Sequence, residues 1–167
     1  MNYLTVPLTT RHNRTDFNSG ASLLDRYFQQ QANQDVKRKL SACFVYEHED
    51  KKTIVGYYTL SSSSIPQALI PHGFSKQLPK SYSSIRTILL GRIAIDQNFQ
   101  GKGIGRVLLI DALKRCYETS ATLGAFAVIV DPIDRSAIEF YNRLGFIKLP
   151  DSTKMFLPMR TIKDLFE

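Results

Sequence analysis

The chain has 167 residues, 43% of them hydrophobic and 22% charged, with a formal net charge of +7 at pH 7. These values predict one soluble domain, residues 1–167, with a substantial core and no repeat or low-complexity tract. No apolar run approaches membrane-spanning length and the first residues do not form a signal peptide, so we expect no membrane contact and a cytoplasmic location.

The first half of the chain predicts strands and a short helical region. In order, we expect a strand at Tyr3 to Leu8, helical segments from about Ala21 to Lys39, and strands at Ala42 to Glu47 and Thr53 to Ser61. A turn at Asp50-Lys51-Lys52 joins the last two strands as a hairpin. The turn-rich stretch from Pro66 to Pro79 is expected to be irregular or to contain short helix.

The next stretch joins a strand to a helix through a loop with alternating glycines at 101, 103 and 105. Ile88 to Ile95 is an almost unbroken apolar run, which is typical of a strand buried on both faces. The helix after the loop is amphipathic, with Leu108, Leu109, Ala112, Leu113 and Cys116 on one side and Arg106, Asp111, Lys114, Arg115 and Glu118 on the other. Because glycine permits close approach and the first helical N–H groups lack partners within the helix, this junction predicts a phosphate site.

Spacing narrows the class of phosphate loop. A Walker loop requires Gly, four residues and then Gly-Lys-Ser/Thr, and the chain contains no such run. The dinucleotide fingerprint requires a third glycine three positions after the second, but the pair Gly101 and Gly103 leads to Arg106, and the pair Gly103 and Gly105 leads to Leu108. Both patterns are therefore disfavoured.

A second strand and helix follow. Ala125 to Val130 is typical of a buried strand, which Asp131-Pro132 ends. Asp134 can cap a helix that Gly145 ends, with an apolar side made of Ala137, Phe140, Tyr141 and Leu144. Taken alone, Phe140 and Tyr141 are more typical of core aromatics than of a functional site. Strands near Phe146 and from Lys154 to Arg160 complete the order.

Cysteine and histidine residues do not suggest a metal site. Cys43 lies in a strand-like run and Cys116 on an apolar helix side, so both are expected to be buried thiols. The histidines, His12, His48 and His72, are scattered through polar or turn-like surroundings without ligand spacing.

The two strand-helix segments resemble the signature regions of the GCN5-related N-acetyltransferases, the GNAT family. Gln100-x-x-Gly103-x-Gly105 matches the pyrophosphate loop of that family. Ala137-x-x-Phe140-Tyr141-x-x-x-Gly145-Phe146 resembles its segment in which a tyrosine hydroxyl lies near the sulfur of acetyl-CoA. The resemblance implies a single α/β domain with a mixed central sheet flanked by helices, and acetyl-CoA as the cofactor.

The resemblance also implies roles by position. Backbone groups of Ile93, Ala94 and Ile95 would hold the pantetheine arm like an added strand, and we expect one N–H there to polarise the thioester oxygen. The pyrophosphate would be bound by Gln100, Gly101, Lys102, Gly103, Ile104, Gly105 and Arg106. The other wall would be lined by Asp131, Ser136 and Phe140, with Tyr141 as the general acid.

The N-terminal third is similar to a narrower group, the GNAT toxins of bacterial type II toxin–antitoxin modules. The similar opening is Phe17-x-Ser19-Gly20-x-x-x-Leu24-Asp25-x-Tyr27, followed by Ala32-x-x-Asp35. The segments Gly56-Tyr57-Tyr58 and Leu90-Gly91-Arg92 extend the similarity. The chain departs from that group at Ser19, where cysteine is usual, at Ser84-Ile85-Arg86, where a proline often precedes the strand, and at Ile93, where leucine is commoner.

Toxins of that group acetylate the α-amino group of aminoacyl-tRNA and stop translation, and the resemblance implies the same function here. It also implies a homodimer and neutralisation by a ribbon-helix-helix antitoxin. The net positive charge supplies the field that a polyanion such as tRNA requires. Candidate tRNA contacts outside the cofactor loop are Lys37, Arg38, Lys39 and Arg86. Arg92 is either a further contact to the phosphates of the acceptor or a member of a structural ion pair.

The chemistry of the acceptor agrees with motifs that contain no obvious base. An amine attacks a thioester only when it is neutral, and an α-amino group titrates near pH ~8 whereas a lysine amine titrates near ~10.4. An aminoacyl ester lowers the first value further, so this nucleophile needs little activation. Tyr141 can then hydrogen-bond or protonate the departing thiolate.

Two other function classes remain open on the sequence. A GNAT enzyme that acts on a small amine, an antibiotic or a protein amine would be active without RNA. A non-catalytic acetyl-CoA-binding domain would bind the cofactor and transfer nothing. The intact loop together with Tyr141 argues against the second class, and the basic, toxin-like chain argues against the first.

Overall fold

The computed structural model describes residues 2–167 as an α/β fold built on a mixed sheet. Its strands are β1 (Val6–Pro7), β2 (Ala42–Glu47), β3 (Ile54–Pro66), β4 (Ser84–Ile95), β5 (Ala127–Val130), β6 (Ile147–Lys148) and β7 (Met155–Pro158). Its helices are α1 (Ser22–Gln30), α2 (Ala32–Lys37), α3 (His72–Ser75), α4 (Ile104–Leu123), α5 (Arg135–Arg143) and α6 (Met159–Lys163), with 3-10 turns at Gln67–Leu69 and Gln97–Phe99. The predicted fold class, a mixed sheet with helices, is confirmed.

The sheet has seven strands in the order β1-β2-β3-β4-β5-β7-β6. Pairing is antiparallel between β1 and β2, β2 and β3, β5 and β7, and β6 and β7, whereas β4 and β5 are parallel. The parallel register runs from Thr87 opposite Ala127 to Leu89 opposite Ile129. Since β4 continues to Ile95, its second half extends beyond this register.

Several predicted elements are confirmed with shifted ends. The hairpin of β2 and β3 forms as expected, but β3 extends to Pro66, and β4 begins at Ser84. The expected strand at Tyr3 to Leu8 shrinks to β1, and that at Lys154 to Arg160 ends at Pro158, where α6 begins. A short strand forms few hydrogen bonds with its neighbour. The alternation of apolar and polar side chains in the sequence can therefore predict a longer strand than the one that forms.

The helical region from Ala21 to Lys39 divides into α1 and α2 at Gln31, whose φ of −122° is not helical. The last turn of α2 closes with hydrogen bonds from Lys39 N to Val36 O and from Leu40 N to Asp35 O. This closure places Lys39 in the left-handed region with φ 60°, a position where glycine is preferred. A lysine there strains the backbone.

The chain forms two compact units, each with its own core. The first, residues 2–61 with Leu90–Leu113, contains an aromatic group in which Phe28 stacks on Tyr57 at 4.2 Å and meets Phe17 edge-on at 5.0 Å. The second, Ser62–Leu89 with Lys114–Glu167, packs apolar side chains that include Ile85, Ile129, Leu149 and Phe156.

Asp111 corrects the predicted polar side of α4. Its side chain is buried rather than exposed, and the carboxylate accepts hydrogen bonds from the Leu4 backbone N–H, the Thr5 hydroxyl and the Tyr58 hydroxyl at 2.8, 2.5 and 2.8 Å. These donors compensate for removing the charge from water. The helical pattern alone could not show that the N-terminal segment covers this face.

Candidate functional site

The junction between β4 and α4 is an open glycine loop. Gly101 and Gly103 have φ values of +79° and +76°, and a Cβ placed on either would contact no atom within 4 Å. Both glycines are therefore required for backbone conformation and not for close packing. The space beside them remains open to a ligand.

The start of α4 has the features of an anion site. Val107 N donates to Gly103 O, so the N–H groups of Ile104, Gly105 and Arg106 come before the first bond within the helix. The first turn of α4 contains no acidic side chain, and Lys102 and Arg106 are exposed beside it. Helix N–H groups and cations together favour a phosphate group.

Gln100 holds this loop in place. Its side-chain amide donates to the carbonyl oxygens of Ser19 and Ile95, each at 2.8 Å. The amide hydrogens of Gln100 are therefore already engaged, and its backbone N–H donates to the carbonyl oxygen of Gln97 at 3.4 Å, so the binding of pyrophosphate by Gln100 stays a prediction. The sequence pattern identified the residue but could not distinguish these two functions.

The toxin-like opening of the chain docks onto the same loop. Asp96 is buried and accepts hydrogen bonds from the backbone N–H groups of Asn18 and Asn98 at 3.0 and 2.9 Å. Ser19 donates from its N–H and its hydroxyl to Asp25 in the first turn of α1. This pairing suits the hydroxyl that replaces the usual cysteine, whose S–H is a weaker donor.

The second half of β4 carries the backbone predicted to hold the pantetheine arm. Ala94 is buried, and Ile93 and Ile95 are half-buried, all beyond the register with β5. On the β3 side, a Cβ on Gly56 would lie 2.8 Å from the Ala94 carbonyl oxygen. Gly56 thus permits close packing of β3 against this segment, and the binding of the pantetheine arm by Ile93 and Ile95 stays a prediction.

Tyr141 lies in α5, which begins at an Asp134 cap that accepts from Ala137 N at 2.8 Å. The residue is 6% exposed, and its ring packs against Phe140 and Phe146, with centroids 5.2 and 5.3 Å apart. Among residues 2–167 its hydroxyl has no hydrogen-bond partner, although the oxygen is not sealed from solvent. Burial raises the pKa of Tyr141 above its ordinary value, so the hydroxyl stays protonated at neutral pH.

The two alternatives for this tyrosine therefore describe different atoms. The ring is buried like a core aromatic, which is the first alternative. The hydroxyl remains an available donor, which the second alternative requires. Of the other residues predicted for this wall, Phe140 is half-buried and Ser136 is exposed in α5. Asp131 is exposed and accepts a hydrogen bond from the hydroxyl of Thr153, a contact that sequence spacing did not indicate.

The candidate tRNA contacts are exposed cations. Lys37, Arg38 and Lys39 are adjacent and exposed at the end of α2. Arg86 is exposed on β4 but belongs to the other compact unit. Arg92 is half-buried, and its guanidinium carbon lies 3.4 Å from the centroid of the Tyr27 ring. Among residues 2–167 Arg92 forms no ion pair, and its contact with the acceptor stays a prediction.

The two cysteines and His12 are buried inside the fold. Cys43 and Cys116 are buried free thiols, as predicted, and burial raises the pKa of each to about 12. His12 is buried, accepts a hydrogen bond from Thr9 N at 2.9 Å and lies 2.6 Å from the carboxylate of Glu47. Residues 2–167 contain no cluster of three or more metal-ligating side chains.

No helix within residues 2–167 is both long enough and apolar enough to cross a bilayer. The mixed sheet, the glycine loop at the start of α4 and the tyrosine of α5 together define an acetyltransferase of the GNAT class. A model of the acetyltransferase (GNAT) family matches residues 8–146, and the chain belongs to this family.

Its relatives include named toxins. The chain is 31% identical over 163 residues to a probable toxin TacT of Sinorhizobium fredii, covering 93% of this chain and 90% of that protein. It is 32% identical over 152 residues to a tRNA-acetylating toxin of Mycobacterium tuberculosis, covering 90% and 89% respectively. The predicted resemblance to GNAT toxins is confirmed.

Solved structures agree with this grouping. AtaT complexed with acetyl-methionyl-tRNAfMet superposes with a TM-score of 0.89 at 26% identity, covering 99% of this chain and 100% of that one. AtaTR bound with AcCoA superposes with a TM-score of 0.86 at 28% identity, covering 98% and 97%.

Proposed function

We propose that this chain transfers the acetyl group of acetyl-CoA to the α-amino group of an aminoacyl-tRNA, and that it acts as the toxin of a type II toxin–antitoxin module. The observation that carries this proposal is the open loop in which Gly101 and Gly103 adopt left-handed conformations before α4. The proposal treats residues 1–167 as one catalytic domain, since the matched family segment, 8–146, draws on both compact units.

The acceptor is supported by the relatives and by charge. One relative is a tRNA-acetylating toxin, and a structural neighbour holds an acetylated aminoacyl-tRNA. The net charge of +7 suits a polyanion. We assign the tRNA contacts to Lys37, Arg38, Lys39, Arg86 and Arg92.

The cofactor is supported by the geometry of the loop and by a neighbour bound with AcCoA. Backbone N–H groups from Gly101 to Arg106 bind the pyrophosphate, with charge from Lys102 and Arg106. Backbone groups of Ile93 and Ile95 hold the pantetheine arm. As the family resemblance implies, Asp131, Ser136 and Phe140 are also assigned to cofactor binding.

When bound, acetyl-CoA supplies the acetyl group as a thioester. The neutral amine forms the new carbon–nitrogen bond, the carbon–sulfur bond breaks, and the proton lost by the amine is balanced by the one taken up at sulfur. An N–H of the Ile93–Ile95 segment polarises the carbonyl oxygen. Tyr141 donates its hydroxyl hydrogen toward the departing sulfur, a role for which its protonated state and unpaired hydroxyl are suited.

The remaining partners follow from the same assignment. We propose that the chain forms a homodimer, works in the cytoplasm and is neutralised by a ribbon-helix-helix antitoxin. A basic toxin is complementary to an acidic antitoxin segment. Size-exclusion chromatography with light scattering tests the dimer, and co-purification with the neighbouring gene product tests the antitoxin.

The deciding experiment is to incubate the protein with labelled acetyl-CoA and, in parallel, charged tRNA, uncharged tRNA or a small amine without RNA. We expect label only on charged tRNA, and release of N-acetyl-aminoacyl ester after mild base. Label on the small amine alone would instead select the alternative, a GNAT enzyme that does not require RNA.

A separate binding measurement distinguishes an enzyme from a non-catalytic acetyl-CoA-binding domain. Calorimetry with acetyl-CoA should show one site in folded protein. Binding without transfer to any acceptor would indicate a non-catalytic domain, and no binding by folded protein would remove the enzymatic proposal.

A further inference from the structure

Arg92 is a half-buried cation that forms no ion pair among residues 2–167. Its guanidinium group lies over the face of the Tyr27 ring at 3.4 Å from the centroid. Among residues 2–167 it forms neither an ion pair nor a hydrogen bond. Because the N–H donors of arginine lie in the plane of the group, a guanidinium stacked on a ring directs them sideways, away from that ring.

Tyr27 is fixed by burial and by a hydrogen bond. It is 7% exposed, and its hydroxyl donates to Asp35 at 2.9 Å. Burial, followed by this hydrogen bond, raises the pKa of Tyr27 to about 12, so the phenol remains a donor at neutral pH. Asp35 lies in α2, the helix that ends at the exposed cations Lys37, Arg38 and Lys39.

We propose that Tyr27 is a positioning residue for the acceptor: its ring holds the Arg92 guanidinium so that the N–H edge is presented to a phosphate of the aminoacyl-tRNA, and its hydroxyl ties that arginine to the helix carrying the α2 cations. The proposal rests on the proposed function. It assigns a role to Tyr27 and Asp35, which the sequence identified only as part of the toxin-like opening.

A phosphate is the anion that this geometry favours. A planar guanidinium recognises two oxygens of one phosphate side by side, and its orientation therefore matters more than its charge alone. A guanidinium without the ring below it would keep its charge but lose its direction. Orientation through Tyr27 thus predicts an effect on tRNA binding that depends on Arg92.

The test uses four variants of the full chain: Tyr27→Leu, Tyr27→Phe, Arg92→Ala and the double change Tyr27→Leu with Arg92→Ala. We expect Tyr27→Leu to raise the KM for charged tRNA about tenfold, since a desolvated cation–π contact of this kind is lost. Tyr27→Phe keeps the ring and should stay within about threefold of wild type, because only a hydrogen bond to a half-buried carboxylate is lost. The dissociation constant for acetyl-CoA should not change in any variant.

Dependence on Arg92 separates positioning from a merely structural role. When Arg92 is already alanine, Tyr27→Leu should have no further effect on the KM for charged tRNA. Each single change should also lower the slope of log KM against log salt concentration by about 1. Equal, independent effects in the two backgrounds, or an unchanged salt slope, would overturn the proposal.

Phe28→Leu is the matched control, because Phe28 is the neighbouring buried aromatic of α1 and packs against Phe17 and Tyr57 instead of Arg92. It should lower the melting temperature as Tyr27→Leu does and leave the KM for tRNA unchanged. A rise in KM equal to that of Tyr27→Leu would show that loss of core packing alone explains the effect. If wild-type protein acetylates no charged tRNA, the proposed function fails, and the positioning role fails with it.

Discussion

Asp111 and Arg92 are charged side chains of the same compact unit, but the protein surrounds them differently. The buried Asp111 carboxylate accepts hydrogen bonds from the Leu4 N–H and from the hydroxyls of Thr5 and Tyr58. The half-buried Arg92 guanidinium lies over one aromatic face and has no ion-pair partner among residues 2–167. A charge whose partners are all internal stabilises the fold, whereas a held charge without a partner indicates a ligand.

The buried tyrosines show the same contrast. Three of them donate within the protein: Tyr27 to Asp35, Tyr57 to the carbonyl of Leu24, and Tyr58 to Asp111. The hydroxyl of Tyr141 has no partner among residues 2–167. Paired hydroxyl groups should therefore matter for stability and the unpaired one for catalysis.

The largest expected effect is at Tyr141. We expect Tyr141→Phe to lower turnover roughly 10²–10⁴-fold with little change in acetyl-CoA affinity or melting temperature, because a donor to the leaving sulfur is lost and no internal bond is broken. Single-turnover kinetics and calorimetry measure the two quantities. Tyr58→Phe is the matched control and should do the reverse, lowering the free energy of unfolding by about 1–2 kcal/mol with turnover unchanged. Unimpaired turnover of Tyr141→Phe would remove that residue from the mechanism.

The second test compares two buried threonines. Thr5 donates to the Asp111 carboxylate, whereas the hydroxyl of Thr87 in β4 is buried without a partner among residues 2–167. Thr5→Val should lower the free energy of unfolding by about 2 kcal/mol, and Thr87→Val should raise it by about 1 kcal/mol. Urea denaturation checks both signs. A loss of stability in Thr87→Val would contradict the conclusion that the Thr87 hydroxyl is buried without a hydrogen bond.

The third test separates backbone strain from ligand binding at two glycines. Gly103 and Gly124 have φ values of +76° and +73°, and a Cβ on either would contact no atom within 4 Å. Alanine at each position should therefore cost a similar ~1–2 kcal/mol of stability. Only Gly103→Ala should weaken acetyl-CoA binding, by about tenfold. Equal affinities of the two variants, measured by calorimetry, would argue that the loop does not hold the cofactor.

The smallest expected effect is at Lys39. Lys39 and Lys51 have φ values of 60° and 57°, so Lys39→Gly and Lys51→Gly should each raise the free energy of unfolding by about 1 kcal/mol. Each removes one positive charge, but only Lys39→Gly should raise the KM for charged tRNA, about threefold, because one phosphate contact is lost. A similar rise for both variants would indicate a general effect of net charge instead of a contact by Lys39.

Local patterns predicted most elements of this fold. The hairpin of β2 and β3, the strand before the glycine loop and the Asp134 cap of α5 depend on residues close together in the sequence. The glycine loop was predictable for the same reason, since positive φ and an exposed helix start are local properties. The family match and the sheet agree with those expectations.

Contacts between distant segments were not predictable in this way. The helical pattern placed Asp111 on the exposed side of α4, and the family pattern assigned Gln100 to pyrophosphate, although its amide binds the carbonyls of Ser19 and Ile95. Neither the stacking of Arg92 on Tyr27 nor the bond of Tyr27 to Asp35 has a signal in residue spacing.

The sequence by itself determined the class of the protein and the position of the glycine loop, and it predicted Tyr141 as the catalytic tyrosine, because these inferences depend on short-range backbone geometry and on residue types at fixed spacing. Only the tertiary structure decided which polar groups are satisfied inside the protein and which remain available. Hydrogen bonding and burial join residues that are far apart in the chain, as in Leu4 with Asp111 and Ser19 with Gln100. A charge or hydroxyl acquires its function from those partners, or from their absence, and not from its neighbours in sequence.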